Sequence, residues 1–171
     1  MLIFLVGYMG AGKSSLGALL ATKLNYRFID TDSWIENRCC KTVSTIFNES
    51  GEDYFRSKEK ECMEFLIDKD DVVVATGGGL PCSNDLMNLM NELGEVVYLK
   101  ADASVLSTRL FRERMHRPIL SNIHSQNELN LFITKHLPKR DTYYAASKLI
   151  INTEKKNQMD LVKEIQLLIF S

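Results

Sequence analysis

Short apolar runs alternate along the whole chain with longer stretches in which apolar residues recur at helical spacing. The apolar runs predict buried strands, at Leu2–Val6, Arg27–Ile29, Val72–Ala75, Glu95–Leu99 and Lys148–Ile151. The longer stretches predict helices, at Lys13–Asn25, Ser33–Arg38, Val43–Glu49, Tyr54–Asp68, Ser83–Leu93, Gln126–Ala145 and Met159–Ile169, with another beginning after Asp102.

Three positions refine this pattern. Ser83 is expected to cap its helix, because a serine hydroxyl can accept hydrogen bonds from the free amides of a first turn. Pro138 is expected to kink its helix or to divide it in two. The polar stretch Arg112–Ser125 has no regular period and is predicted to be a mobile loop.

Strands that alternate with helices predict a parallel sheet with helices on both faces, since right-handed crossovers place them there. We therefore predict an α/β fold with a three-layer, doubly wound sheet, formed by residues 1–171 as one domain. Ligands of such sheets bind at the carboxyl ends of the strands. The functional residues should therefore follow directly after the strands.

Composition and charge narrow the functional classes. The chain has 21 Lys and Arg against 22 Asp and Glu, without the basic excess that nucleic-acid binding favours. The apolar start of the chain is too short for a membrane span and has no preceding positive residues. The four cysteines form no C-x-x-C pair. We expect a cytoplasmic monomer with free thiols that binds neither nucleic acid nor membrane.

A phosphate-binding motif follows the first strand. Gly7–Ser14 (GYMGAGKS) matches G-x-x-x-x-G-K-[ST] between a strand and a helix. Its backbone amides can turn towards an anion, and the N-terminus of the helix adds partial positive charge. Lys13 suits the β- and γ-phosphates, and the Ser14 hydroxyl suits Mg²⁺. The motif predicts nucleotide binding by Gly10, Ala11, Gly12, Lys13, Ser14 and Ser15; a tight turn without a ligand is the weaker alternative.

Two aspartates end the second strand. Asp30 can orient Mg²⁺ through its water shell, because Mg²⁺ keeps several waters and few protein ligands. Asp32, two residues later, can reach an acceptor hydroxyl and take its hydrogen bond or its proton. The alternative is that both aspartates only open the helix predicted at Ser33.

Several arginines suggest anion binding. Arg56 can bind a carboxylate through its planar fork, although it could also pair with Glu59, three residues later. Arg140 is a second candidate, or only a charge on a helix face. Four more arginines can close over ATP or can form a solvated face, namely Arg109, Arg112, Arg114 and Arg117.

Together these motifs resemble the shikimate kinases, a family in the nucleoside-monophosphate-kinase group of P-loop folds. The resemblance spans nearly the whole chain and rests on Gly7–Ser14, Phe28–Asp32, Gly51–Glu59, Ala75–Gly79, Arg117–Leu120 and Arg140–Tyr144. It implies phosphorylation of the 3-hydroxyl of shikimate by ATP with Mg²⁺. It also implies the strand order 2-3-1-4-5, an acceptor-binding region at 33–61 and a lid at 112–124.

The resemblance also implies roles for single residues. Ser14 and Asp30 would serve Mg²⁺, Asp32 the ring hydroxyls, and Lys13 and Arg117 the transferring phosphoryl group. Arg56 and Arg140 would bind the carboxylate, with backbone amides from Gly78 and Gly79. Arg109 would pack on adenine, although the neighbouring Arg112 leaves that assignment open. The chain departs from the family at Tyr8, where Phe is frequent, and at Ser15, where Thr is frequent.

Two other functions share part of this pattern. A gluconate or nucleoside-monophosphate kinase would share the fold, but two arginines and an aspartate suit a small hydroxy acid better than a nucleotide. A GTPase-type switch would carry the guanine-reading N-K-x-D pattern, which this sequence lacks.

Overall fold

The computed structural model describes residues 1–83, 85–111, 120 and 123–171. In this part of the chain, one parallel sheet has the strand order β2-β3-β1-β4-β5, which confirms the expected order. The strands are β1 (Leu2–Val6), β2 (Arg27–Asp30), β3 (Val72–Ala75), β4 (Gly94–Lys100) and β5 (Leu149–Asn152).

Helices cover both faces of the sheet. They are α1 (Lys13–Leu24), α2 (Thr31–Cys39), α3 (Val43–Leu66), α4 (Leu86–Leu93), α5 (Ala103–Phe111), α6 (Gln126–Tyr144) and α7 (Gln158–Phe170), with a short 3₁₀ turn at Leu80–Cys82. No helix among the described residues has the length and apolar character that a membrane span requires.

The burial of the strands explains their sequences. Every residue of β1 and of β3, the central strands, is buried, so both read as unbroken apolar runs. The edge strand β2 is partly exposed and includes Arg27 and Asp30. The apolar pattern therefore located the centre of the sheet correctly.

Two helices differ in detail from the prediction. α2 begins at Thr31, earlier than the predicted Ser33, because the Asp30 carboxylate caps its first turn. The helices predicted at 43–49 and 54–68 are the two arms of α3, which bends at Gly51. Gly51 has a φ of 80°, a conformation that a residue with a side chain rarely adopts.

The expected cap at Ser83 was wrong. The chain first forms the turn Leu80–Cys82, and α4 then starts after Asp85. The Ser83 hydroxyl donates instead to the Leu80 carbonyl at 3.1 Å. Helix α6 is not divided at Pro138, since it runs continuously from Gln126 to Tyr144.

Most of the expected lid at 112–124 lies outside the described residues, and with it Arg112, Arg114 and Arg117.

Candidate active site

A cleft of about 530 Å³ opens at the carboxyl edge of the sheet, where the fold predicts the ligand site. Its walls come from the loop between β1 and α1, from the ends of β2 and β3, and from Arg109 of α5. The chain that follows β5 closes the remaining side. Motifs far apart in the sequence are therefore brought to one place.

The phosphate-binding loop depends on left-handed glycines. Gly10 has a φ of 79°, and a Cβ atom there would lie 2.7 Å from Leu110 Cγ. Gly12, with a φ of 90°, precedes α1 directly. The Lys13 ammonium is nearly buried and donates to the carbonyls of Gly7 at 2.8 Å and Tyr8 at 3.0 Å. Lys13 thus stabilises the loop from the position in which phosphates would bind.

Ser14 and Asp30 are directly joined. The Ser14 hydroxyl donates to Asp30 Oδ2 at 2.6 Å, while Asp30 Oδ1 accepts from the amides of Asp32 at 3.1 Å and Ser33 at 3.2 Å. Asp30 is therefore a helix cap, as the alternative held, and at the same time a partner of the phosphate loop. A hydroxyl and a carboxylate side by side provide oxygen ligands that suit a Mg²⁺ ion, which also keeps several waters.

Three consecutive glycines, Gly77–Gly79, follow the end of β3, and the first two line the cleft. A Cβ atom at Gly77 would lie 2.5 Å from Asp32 Oδ1, and one at Gly79 would lie 2.8 Å from Arg56 Nη1. At Gly78 the nearest atom would be Arg140 Nη1, at 3.3 Å. Each glycine thus faces one side chain that the sequence proposed for the acceptor. Gly77 was not among the predicted site residues, although the run of three glycines was a visible signal.

Arg56 is paired with two glutamates in this structure. Its Nη1 lies 2.7 Å from Glu59 Oε2 and its Nη2 lies 2.7 Å from Glu52 Oε1. The Arg56–Glu59 pair offered as an alternative therefore exists, and it orients the guanidinium towards Gly79. Glu59 is 1% exposed, and burial raises its pKa although Arg56 opposes that shift.

Arg140 has a different environment. No carboxylate among the described residues pairs with it, and its guanidinium carbon lies 5.8 Å from the centre of the Tyr8 ring. A Cβ atom at Gly78, which lines the cleft, would lie 3.3 Å from Arg140 Nη1, so the guanidinium lies beside Gly78. Binding of an acceptor carboxylate by Arg140 stays a prediction.

The nucleotide end of the cleft includes residues that the sequence analysis did not assign. Arg109 Nη1 and Nη2 each lie 3.5 Å from an oxygen of Thr153, which is buried after β5. Lys156 and Gln158 line the cleft beside them. The carboxyl end of β5 was expected at this edge, and that position was the available signal.

Comparison with known proteins extends this description. The profile of the family described as "Shikimate kinase" matches residues 9–169. A shikimate kinase of Azobacteroides pseudotrichonymphae is 40% identical over 95% of this chain and 96% of its own length.

Solved structures agree. The crystal structure of a shikimate kinase from Bacteroides thetaiotaomicron has a TM-score of 0.92 at 39% identity, covering 100% of this chain and 99% of that one. A shikimate kinase from Acinetobacter baumannii, in complex with shikimate, has a TM-score of 0.85 at 31% identity, covering 99% and 92%. A gluconokinase from Sinorhizobium meliloti shares only the fold, with a TM-score of 0.55 at 17% identity, covering 98% and 93%.

Proposed function

Because this chain belongs to the shikimate kinase family, we propose that it transfers the γ-phosphoryl group of ATP to the 3-hydroxyl of shikimate, with Mg²⁺ as its cofactor. One observation supports this most directly. Asp32, Arg56 and Arg140 come from three different helices, and each lies against one of the consecutive glycines Gly77–Gly79, next to the phosphate-binding loop. A carboxylate-bearing polyol is the kind of acceptor that two guanidiniums and one carboxylate can bind.

On the donor side, the amides of Gly10, Ala11 and Gly12 bind the ATP phosphates at the N-terminus of α1. When ATP binds, the Lys13 ammonium moves from the loop carbonyls to the β- and γ-phosphates. The negative phosphates then compensate its positive charge. Ser14 and Asp30 would hold Mg²⁺, which would supply neutralisation of the phosphate charge. Arg109 packs on the adenine ring.

On the acceptor side, Arg56 and Arg140 bind the shikimate carboxylate, and the amides of Gly78 and Gly79 support it. Asp32 accepts a hydrogen bond from the hydroxyl that is phosphorylated and can take its proton. Phosphoryl transfer requires mainly positioning and charge stabilisation, because its transition state is largely dissociative. Lys13 and Arg117 supply that stabilisation; Arg117 carries this role from the family resemblance alone.

The test is a coupled assay of ADP release with each candidate acceptor. We expect turnover with ATP and shikimate, little with gluconate or a nucleoside monophosphate, and ³¹P NMR showing phosphate on the 3-hydroxyl. Comparable turnover with gluconate would refute the assignment of the acceptor. The cytoplasmic location and the monomeric state stay predictions, to be checked by cell fractionation and light scattering.

A further inference from the structure

Helix α6 is fixed by hydrogen bonds on both sides of Arg140. One turn before it, His136 Nδ1 lies 2.8 Å from the Tyr8 hydroxyl. One turn after it, the Tyr144 hydroxyl donates to the Gly78 carbonyl at 2.5 Å. A helix position fixed in this way also fixes where the Arg140 side chain starts.

Tyr8 connects Lys13 of the phosphate-binding loop with Arg140 and His136 of α6. Its carbonyl accepts from Lys13 Nζ at 3.0 Å, on the phosphate side. Its ring, 1% exposed, lies beneath the Arg140 guanidinium at 5.8 Å, a separation at which a ring face attracts a cation. Its hydroxyl bonds to His136, and the two rings are nearly perpendicular, with an angle of 77°.

We propose that Tyr8 and His136 are positioning residues for Arg140: their hydrogen bond fixes the preceding turn of α6, and the Tyr8 ring supports the guanidinium. The inference rests on the proposed function, in which Arg140 binds the acceptor carboxylate. An arginine loses considerable rotamer freedom when it is held in one geometry. A guanidinium that is ordered before the acceptor arrives therefore binds it more tightly.

A purely structural role of the Tyr8–His136 hydrogen bond would have a different experimental result. A buried phenol needs a hydrogen-bond partner, and losing that partner lowers the stability of the whole protein. A loss of overall stability changes the KM values of both substrates similarly, or it changes neither. A positioning role affects the acceptor in particular, so the Michaelis constants of the two substrates separate the two roles.

The experiment compares four single variants of the full chain, and adds the double variant and Arg140→Lys. Tyr8→Phe keeps the ring beneath Arg140 and removes the hydroxyl. His136→Phe keeps the aromatic contact and removes the hydrogen bond, whereas His136→Asn retains a polar atom near the position of Nδ1. Tyr143→Phe is the matched control, because Tyr143 is an exposed tyrosine of the same helix.

We expect Tyr8→Phe and His136→Phe each to raise the KM for shikimate about three- to tenfold, as the loss of one hydrogen bond predicts. The KM for ATP should change less than about twofold, on the same reasoning. The double variant should resemble either single one, because both remove the same bond. His136→Asn should recover most of the loss, and Tyr143→Phe should show none.

Equal changes in both KM values, or additive effects in the double variant, would overturn the positioning role. Arg140→Lys separates this failure from a failure of the proposed function. If Arg140→Lys raises the KM for shikimate while Tyr8→Phe and His136→Phe do not, only the positioning role is wrong. If Arg140→Lys leaves that KM unchanged, Arg140 does not bind the acceptor carboxylate.

Discussion

Replacing Gly79 with alanine tests the proposed acceptor site at Gly77–Gly79. The backbone tolerates the change, since Gly79 has a φ of −94° and a ψ of −19°. The new methyl group, however, would lie 2.8 Å from Arg56 Nη1 and 3.0 Å from Nη2. Carbon and nitrogen need roughly 3.5 Å, so the guanidinium must move by roughly 0.7 Å.

This displacement should impair acceptor binding and leave the fold intact. Misplacement of a binding group by about 1 Å can reduce a rate about a hundredfold, so we expect the KM for shikimate to rise about tenfold or more. The free energy of unfolding should stay within about 1 kcal/mol of the original value, because the clashing atoms end a flexible side chain and alanine restricts the unfolded chain. Steady-state kinetics and urea unfolding measure the two quantities.

Gly17→Ala is the matched control for this experiment. A Cβ atom there would lie 2.7 Å from Phe28 Cε2, which is a similar overlap. This overlap is in the core, away from Gly77–Gly79. It should lower the free energy of unfolding by about 1–2 kcal/mol, as overpacking does. The KM for shikimate should stay within about twofold of the original, by the same reasoning. If Gly79→Ala left the KM unchanged, Arg56 would not contact the acceptor.

Two further predictions concern the phosphate and metal residues. Lys13→Met should lower kcat by about two or more orders of magnitude, because it removes charge stabilisation of the transition state; a variant that kept more than half of the turnover would exclude the role given to Lys13. Asp30→Asn should raise the Mg²⁺ requirement and regain part of its rate with added Mg²⁺, whereas Asp32→Asn should lose about 10²–10⁴-fold in rate without such a gain. Initial rates measured against Mg²⁺ concentration check both aspartate variants. If added Mg²⁺ restored activity to Asp32→Asn alone, the roles of Asp30 and Asp32 would be reversed.

The parts of this structure that the sequence predicted are those encoded locally. The unbroken apolar runs of β1 and β3 reflect burial on both faces, and Gly7–Ser14 carries the loop and the start of α1 in one segment. Asp30 shows how two interpretations that seemed opposed are compatible. One carboxylate oxygen caps α2 while the other accepts from Ser14.

What sequence reasoning missed depends on contacts between distant segments. Gly77 lies close to Asp32, and Thr153 lines the cleft near Arg109. Both contacts form only because the strands align at one edge of the sheet. The helix cap predicted at Ser83 was wrong for a different reason. Its local cap signal was sound, but the preceding turn at Leu80–Cys82 delays the start of α4.

Arg56 and Arg140, which the sequence presents as equivalent, differ in the charge of the groups that surround them. Arg56 is paired with Glu52 and with the buried Glu59, so its immediate surroundings carry no excess positive charge. Arg140 rests on the Tyr8 ring and has no carboxylate partner among the described residues. Two opposite unit charges 4 Å apart attract each other by about 4 kcal/mol at an effective dielectric constant of 20, and a second carboxylate nearby offsets much of that attraction. In the proposed complex, Arg140 would therefore supply most of the electrostatic attraction for the acceptor carboxylate. Arg56, whose direction Glu52 and Glu59 fix, would mainly orient the hydrogen bonds.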